Sequence, residues 1–439
     1  MTKFYSPNTA IAVIVANMIG TGVFTSLGFQ LIDIQTGFPI MLLWICGGVA
    51  ALCGAASYAE LGAALPRSGG EYNFLGRIYH PMAGFISGWV SATIGFAAPI
   101  AAVAIAFAIY ALAALPGDYG SGLQKLLACT LVVLVTLVHG RNRTSSARFQ
   151  TLFTTLKVGL ILVFCLAGLL LVQTPQTVSL TPQPGDNALI TSGAFAISLI
   201  YVSYAYTGWN AATYISGELE NPQRDLPRIL ITGTGLVMCL YVLLNYVFLY
   251  AAPVDAMVGK VEIGYIAAQY IFGETGARLA GGILSLLLIS TVSAMTLAGP
   301  RALQVIGEDF YPLRLLGNTN AQSIPRNAIY FQSFIALLFI LTSSFERIIV
   351  FAGAMLAFNS FLAVLGVFIL RYKEPDLPRP YKTWGYPVVP LIYLSLTAFT
   401  LFYVVIKEPL TALFGLGLIA IGCVFYLTSR RSQPDLEAP

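Results

Sequence analysis

The sequence predicts an all-α integral membrane protein of twelve transmembrane helices, arranged as a five-plus-five inverted repeat with two helices appended. Three observations carry that expectation. Of 439 residues, 57% are hydrophobic and only 10% charged, against roughly 25% charged in a soluble domain. Apolar runs long enough to cross a bilayer recur along nearly the whole chain. Two of those runs are interrupted by glycine at mid-length, at residues 17–24 and 204–209, five spans apart.

In order, the spans fall at residues 9–32, 39–65, 82–115, 122–140, 149–172, 189–217, 229–252, 277–307, 326–343, 347–371, 387–406 and 409–428. The first has no small-residue cleavage site after a short apolar core, so it reads as a retained helix and not as a signal peptide. Pro66-Arg67-Ser68-Gly69-Gly70-Glu71-Tyr72 reads as a turn-rich loop between spans two and three. Spans three and eight exceed ~20 residues, which predicts tilt or extension beyond the lipid. After span six comes a segment of mixed charge, Glu218 to Arg228. Residues 253–276, with Gly259, Gly264 and Gly273, read as an outer lid with its own helix, and the tail after Ser432 as disordered.

Interrupted spans one and six, and long spans three and eight, are each five apart. An odd number of spans per repeat turns the second copy upside down. The chain therefore divides into residues 1–188 (spans 1–5), 189–371 (spans 6–10) and 372–439 (spans 11–12 and tail). With the N-terminus inside, seventeen basic residues face the cytoplasm and five the exterior, leaving Lys157 within a span. That asymmetry predicts a multi-pass plasma (cell inner) membrane protein with both termini cytoplasmic.

A spanning helix satisfies its own backbone, so a break at membrane depth persists only against protein or a wet cavity. Unwinding at Gly20, Thr21 and Gly22 exposes N–H groups at the start of the outer half-helix, whose partial positive charge suits a carboxylate. Glycine also lets a ligand reach the backbone. A packing face of the G-x-x-x-G kind is the competing explanation, but G-x-G has the wrong spacing. Unwinding before Gly208 frees carbonyls among Tyr204, Ala205, Tyr206 and Thr207 that suit an ammonium group. Tyr201, Tyr204, Tyr206 and Trp209 crowd the segment as aromatic lids, Tyr204 and Trp209 being the expected gate. Together the breaks offer both ends of an amino acid a partner.

Lys157 lies nine residues past Arg148, about 13 Å deeper at ~1.5 Å per residue. A lysine near the midplane is costly and points to function; snorkelling to the cytoplasm is the alternative. Its expected partners are span-one carbonyls near Ile19 and the hydroxyls of Ser290 and Thr291. A cation fixed there replaces a sodium ion or carries a coupling proton.

Other chemistry is poorly supported. His80 and His139 stand without clustered Cys, Asp or Glu, which argues against a zinc site or a His-based hydrolase. Gly69-Gly70 lacks the Lys-Ser/Thr of a phosphate loop. All six cysteines lie in apolar segments, as packing residues do. The net charge of +4 sits in short loops, which does not suit nucleic acid. Acidic residues of the spans (Glu60, Glu218, Glu308) lie near span ends, so the pocket is expected to lack a carboxylate and to prefer neutral amino acids.

Gly20-Thr21-Gly22-Val23-Phe24 resembles the G-S-G-I-F motif of the amino acid–polyamine–organocation superfamily. Tyr58-Ala59-Glu60-Leu61-Gly62 with Pro66 to Tyr72, and Tyr204 to Trp209 with Glu218 to Arg228, resemble its second- and sixth-span signatures. Arg371 to Tyr381 is similar to the L-type amino-acid transporter branch. The resemblance implies the inverted-repeat fold and alternating access. It also implies substrate carboxylate on Gly20, Thr21 and Gly22, substrate amine on the carbonyls of Met18, Tyr204, Ala205 and Thr207, and Lys157 where sodium-driven relatives hold their ion. Animal members of the branch pair with a glycoprotein through a cysteine after span three; Leu115 to Gly122 holds none, so no disulfide-linked heavy subunit is expected.

The expected function is secondary, sodium-independent transport of neutral L-amino acids, as exchanger or proton symporter, with no cofactor and no enzymatic activity. The substrate is a small molecule, a proton is the candidate co-substrate, and lipid surrounds the chain. A cationic amino-acid or polyamine transporter of the same fold, or a non-transporting sensor, is the alternative.

Overall fold

A computed structural model of the chain describes residues 6–67, 69–117, 119–141, 147–310, 313–320 and 324–431. Lys3, Ser68, Arg143 and the tail from residue 432 lie outside the described residues. Among the described residues all regular structure is helical. Ten stretches are long and apolar enough to cross a membrane. Two shorter apolar helices, Gly193–Ala205 and Arg326–Thr342, stand at the expected sixth and ninth spans.

The first stretch is two helices, α1 (Pro7–Met18) and α2 (Gly22–Asp33). Proline opens α1 and the Ser6 hydroxyl accepts from Thr9 N, a favourable start. Then come α3 (Gly37–Ala64), α4 (Glu71–Ile78) and α5 (Pro81–Val90). A π-helical turn, Ser91–Gly95, joins α5 to α6 (Ala97–Ala113), and α7 (Ser121–Arg141) and α8 (Ala147–Leu171) follow. After short α9 (Asp186–Ile190), α10 (Gly193–Ala205) ends in turns that lead into a 3-10 helix, Ala211–Glu218. The rest comprises α11 (Pro222–Ala251), α12 (Val254–Met257), α13 (Ile263–Asp309) and α14 (Arg314–Gly317). The chain closes with α15 (Arg326–Thr342), α16 (Phe345–Lys373), α17 (Val388–Lys407) and α18 (Pro409–Arg431).

Three boundaries differ from the sequence reading, and one expected helix is found. The loop at residues 66–72 turns through Gly69 and Gly70, both at positive φ, and opens α4 at Glu71. The sixth span does not run as α-helix to 217, because α10 stops at Ala205 and the remainder is turn and 3-10 helix. Seven residues earlier than expected, α11 begins at Pro222, where proline suits the first helical position and Asp225 suits the positive end. The expected helix of the outer segment is present: it opens α13 at Ile263 and is broken from the eighth span at Gly273, whose backbone (φ 73°, ψ −177°) is not helical.

Large apolar side chains on α7, α8 and α18 are exposed, among them Leu134, Leu152, Leu170 and Phe414. Such faces suit lipid and not water. Inside, one apolar core gathers α1, α3 and α11 around Trp44, Tyr58 and Tyr241. A second gathers α6, α7, α13 and α15 around Tyr110, Leu288 and Ile340. Tyr204 belongs to the second core and its neighbour Ala205 to the first. The chain thus passes between the cores where α10 ends.

Candidate functional site

At the first break Ile19 leaves helical geometry (ψ 80°) and Gly20 N turns back to Met18 O at 2.8 Å. The helix resumes at Gly22, and the Thr21 side chain caps no backbone group. The leading N–H groups of α2 therefore lack an intrahelical acceptor and carry the positive end of its dipole. Two carbonyls of the break hold side chains from elsewhere. The Tyr241 hydroxyl of α11 donates to Met18 O at 2.5 Å. Lys157 Nζ of α8, in a buried side chain, donates to Thr291 Oγ1 at 2.7 Å and to Ile19 O at 3.4 Å.

Ser290 is not brought to Lys157; its hydroxyl donates to Leu287 O of its own helix at 2.7 Å. Adjacent residues of a helix point about 100° apart, so only Thr291 can face α8.

At the second break the Thr207 backbone N–H and hydroxyl both donate to Tyr204 O, at 3.0 and 2.7 Å. The chain then passes Gly208 at φ 99°, a conformation that glycine adopts without strain. Among the described residues the Ala205 and Thr207 carbonyls receive no comparable turn bond. The two breaks touch through glycine. A side-chain carbon on Gly22 would lie 2.5 Å from Ala205 Cα, and one on Gly208 would lie 2.9 Å from the Asn17 carbonyl carbon.

Two cavities flank that junction. A larger one of about 250 Å³ is bordered by Asn17, Ser203, Thr207, Gly208, Trp209 and Asn210, and it extends to Glu71 and to exposed Arg301. A small one of about 10 Å³ is bordered by Ile19, Gly20, Thr21, Lys157 and Thr291; that is room for one water. Trp209 edges onto Tyr58 (centroids 4.7 Å apart) and Tyr393 (6.2 Å) at the larger cavity. Met18, Gly22, Tyr204 and Ala205 border neither cavity.

Sequence reasoning missed three features. The first corrects an expectation: the larger cavity does hold a carboxylate. Glu71, assigned to a loop, is buried and accepts from Tyr58 (2.8 Å), Asn210 (2.5 Å) and Tyr214. Left-handed glycines before it swing it inward, and no apolar periodicity announces such a turn. The second is an aromatic stack of Phe29, Tyr201 and Phe345, with the Tyr201 hydroxyl donating to Glu346 Oε1 at 2.9 Å. It joins α2, α10 and α16. The third is the ion pair of Glu60 with Arg371 (2.8 and 2.7 Å), closed by Thr383 N at 2.7 Å. Of the histidines, His139 Nε2 lies 2.8 Å from Ser293 Oγ, and His80 Nδ1 accepts from Met82 N.

Comparison with known proteins bears directly on this arrangement. The family model described as Amino acid permease matches residues 5–424. The chain belongs to the amino acid permease family. This is the superfamily that its motifs resemble, one of transporters and not enzymes. Similar relatives include "Large neutral amino acids transporter small subunit 2" of Oryctolagus cuniculus, 28% identical over 95% of this chain and 78% of the relative. Also similar are "b(0,+)-type amino acid transporter 1" of Mus musculus (26% identical) and of Homo sapiens (27%), each over 95% of this chain and 86% of the relative. The permease is a multi-pass membrane protein.

Proposed function

We propose that this permease is a sodium-independent secondary transporter of neutral L-amino acids that works by alternating access, as an exchanger or a proton symporter. The carrying observation is the junction of the two interrupted helices, with backbone N–H groups of α2 on one side and carbonyls following α10 on the other. The N–H groups of Thr21 and Gly22 take the substrate carboxylate, and that of Gly20 joins them on leaving Met18 O. The ammonium goes first to the Ala205 and Thr207 carbonyls, because Met18 O and Tyr204 O already accept two bonds each. Lys157 supplies beside Ile19 O the positive charge that a sodium ion would otherwise bring. The Phe29–Tyr201–Phe345 stack closes the outer side, and the larger cavity opens inward past Arg301. The termini are cytoplasmic in the plasma membrane, in twelve spans of two inverted repeats, with no disulfide-linked heavy subunit.

One observation favours a second reading, a cationic substrate. The Glu71 carboxylate borders the larger cavity and can face a positive side chain, and one group of relatives is named b(0,+)-type. Uptake of radiolabelled leucine, alanine and arginine into proteoliposomes decides between them. The expected result is leucine or alanine flux that persists without sodium and rises with internal amino acid or an inward proton gradient. Arginine flux that exceeds both selects the cationic reading. Binding without any flux selects a sensor.

A further inference from the structure

Glu71 and the 3-10 segment it holds have a role that the substrate site alone does not explain. The segment Ala211–Glu218 is eight residues of 3-10 helix, where runs beyond three or four residues are uncommon and often mark a hinge. Bonds of the i→i+3 kind are weaker than α-helical ones, so its conformation leans on side-chain anchors. Two of these converge on one carboxylate. Asn210 Nδ2 donates to Glu71 Oε1 at 2.5 Å, and the Tyr214 hydroxyl donates to Glu71 Oε2. A third donor, Tyr58 on α3, reaches Glu71 Oε1 at 2.8 Å. A further anchor, Ser216 Oγ donating to Pro66 O at 3.2 Å, ties the segment to the same loop.

The carboxylate itself is firmly based. Its helix, α4, is fastened at the far end to α16, with Arg77 paired to Glu374 at 2.6 Å and Lys373 Nζ donating to Ile78 O at 3.0 Å. These contacts tie α4 to α16, and the 3-10 segment is held against α4. Glu60, by contrast, is locked by arginine. The Glu71 bonds to Tyr58, Asn210 and Tyr214 use neutral donors beside a cavity, and hydroxyls and amides can exchange such bonds with water at modest cost.

We infer that Glu71 is a positioning residue for transport: acting through Asn210 and Tyr214, its carboxylate latches the segment after the second break and sets the rate at which the larger cavity opens and closes. The inference rests on the transport reading. It assigns Glu71 to turnover and not to substrate affinity.

The test compares wild type, E71Q, E71D, Y214F and E71Q/Y214F, using whichever neutral amino acid, leucine or alanine, gives the higher wild-type flux, because neither has a side-chain charge for Glu71 to face. Maximal rates come from proteoliposomes and dissociation constants from equilibrium binding to purified protein. E71Q is expected to lower the maximal rate about tenfold with affinity within about twofold, as fits the loss of charge-assisted bonds. E71D recovers most of the rate. E71Q/Y214F is no slower than E71Q, because both changes cut one linkage. If E71Q does not fold as a monodisperse protein, Y214F, which removes a single hydroxyl, carries the expectation at about threefold. A wild-type rate in the tested variant, a parallel loss of rate and affinity, or additive losses overturn the assignment. A wild type without flux overturns the transport reading instead.

Discussion

The two interruptions differ in what holds them. The first takes three residues, and its carbonyls are gripped from outside by Tyr241 and Lys157, on two other helices. The second runs from Tyr206 through Asn210 into a 3-10 helix, held by its own Thr207 and by Glu71. Surroundings fix one break, while the other depends on local bonds and one carboxylate. The contrast teaches that a shared motif, glycine in a spanning helix, can serve as an anchored wall or as a moving part.

Substitutions at the glycines test that contrast most severely. Gly22→Val places side-chain atoms on the Ala205 backbone, and uptake should fall about a hundredfold, as fits the upper end of overpacking costs at about 3 kcal/mol. Gly208→Ala meets both a φ of 99° and the Asn17 backbone. It should cost about 1–2 kcal/mol from left-handed strain alone, read as a lower thermal midpoint and reduced uptake. Normal uptake by both variants would break the comparison.

Lys157 sharpens it. Lys157→Ala leaves Ile19 O and Thr291 without their cation and should lower uptake about a hundredfold at unchanged expression, in line with ~3 kcal/mol for a buried charged contact. Thr291→Ala should cost about tenfold. Ser290→Ala, whose hydroxyl serves only its own helix, should leave uptake within about twofold. Equal losses at Ser290 and Thr291 would show that Lys157 does not select one hydroxyl. The smallest transport effect belongs to Glu60→Gln. It leaves Arg371 and Arg379 facing a neutral amide and should destabilise by about 3 kcal/mol, seen as a lower unfolding temperature with little change in the dissociation constant.

Features set by local composition were legible in the sequence. Gly20 and Gly22 announced a break because their spacing does not suit helix packing, and the helix stops at Met18. Lys157 declared itself by depth, and the structure gives it Ile19 O and Thr291. Features that depend on rotation or on left-handed turns were not legible. Ser290 and Thr291 differ by one step around α13, and choosing between them needs the helix's orientation against α8. Glu71 looked like loop charge because Gly69 and Gly70 redirect the chain at positive φ. The charged start of α11 hid a helix that Pro222 can begin. No hydropathy window distinguishes the 3-10 segment from an α-helix of the same composition.

Because Gly22 packs directly on the Cα and the methyl of Ala205, that contact has no rotamer to flip. Whole helices must swing to part it, which belongs to the microsecond-to-millisecond motions of packed elements and not to nanosecond side-chain hops.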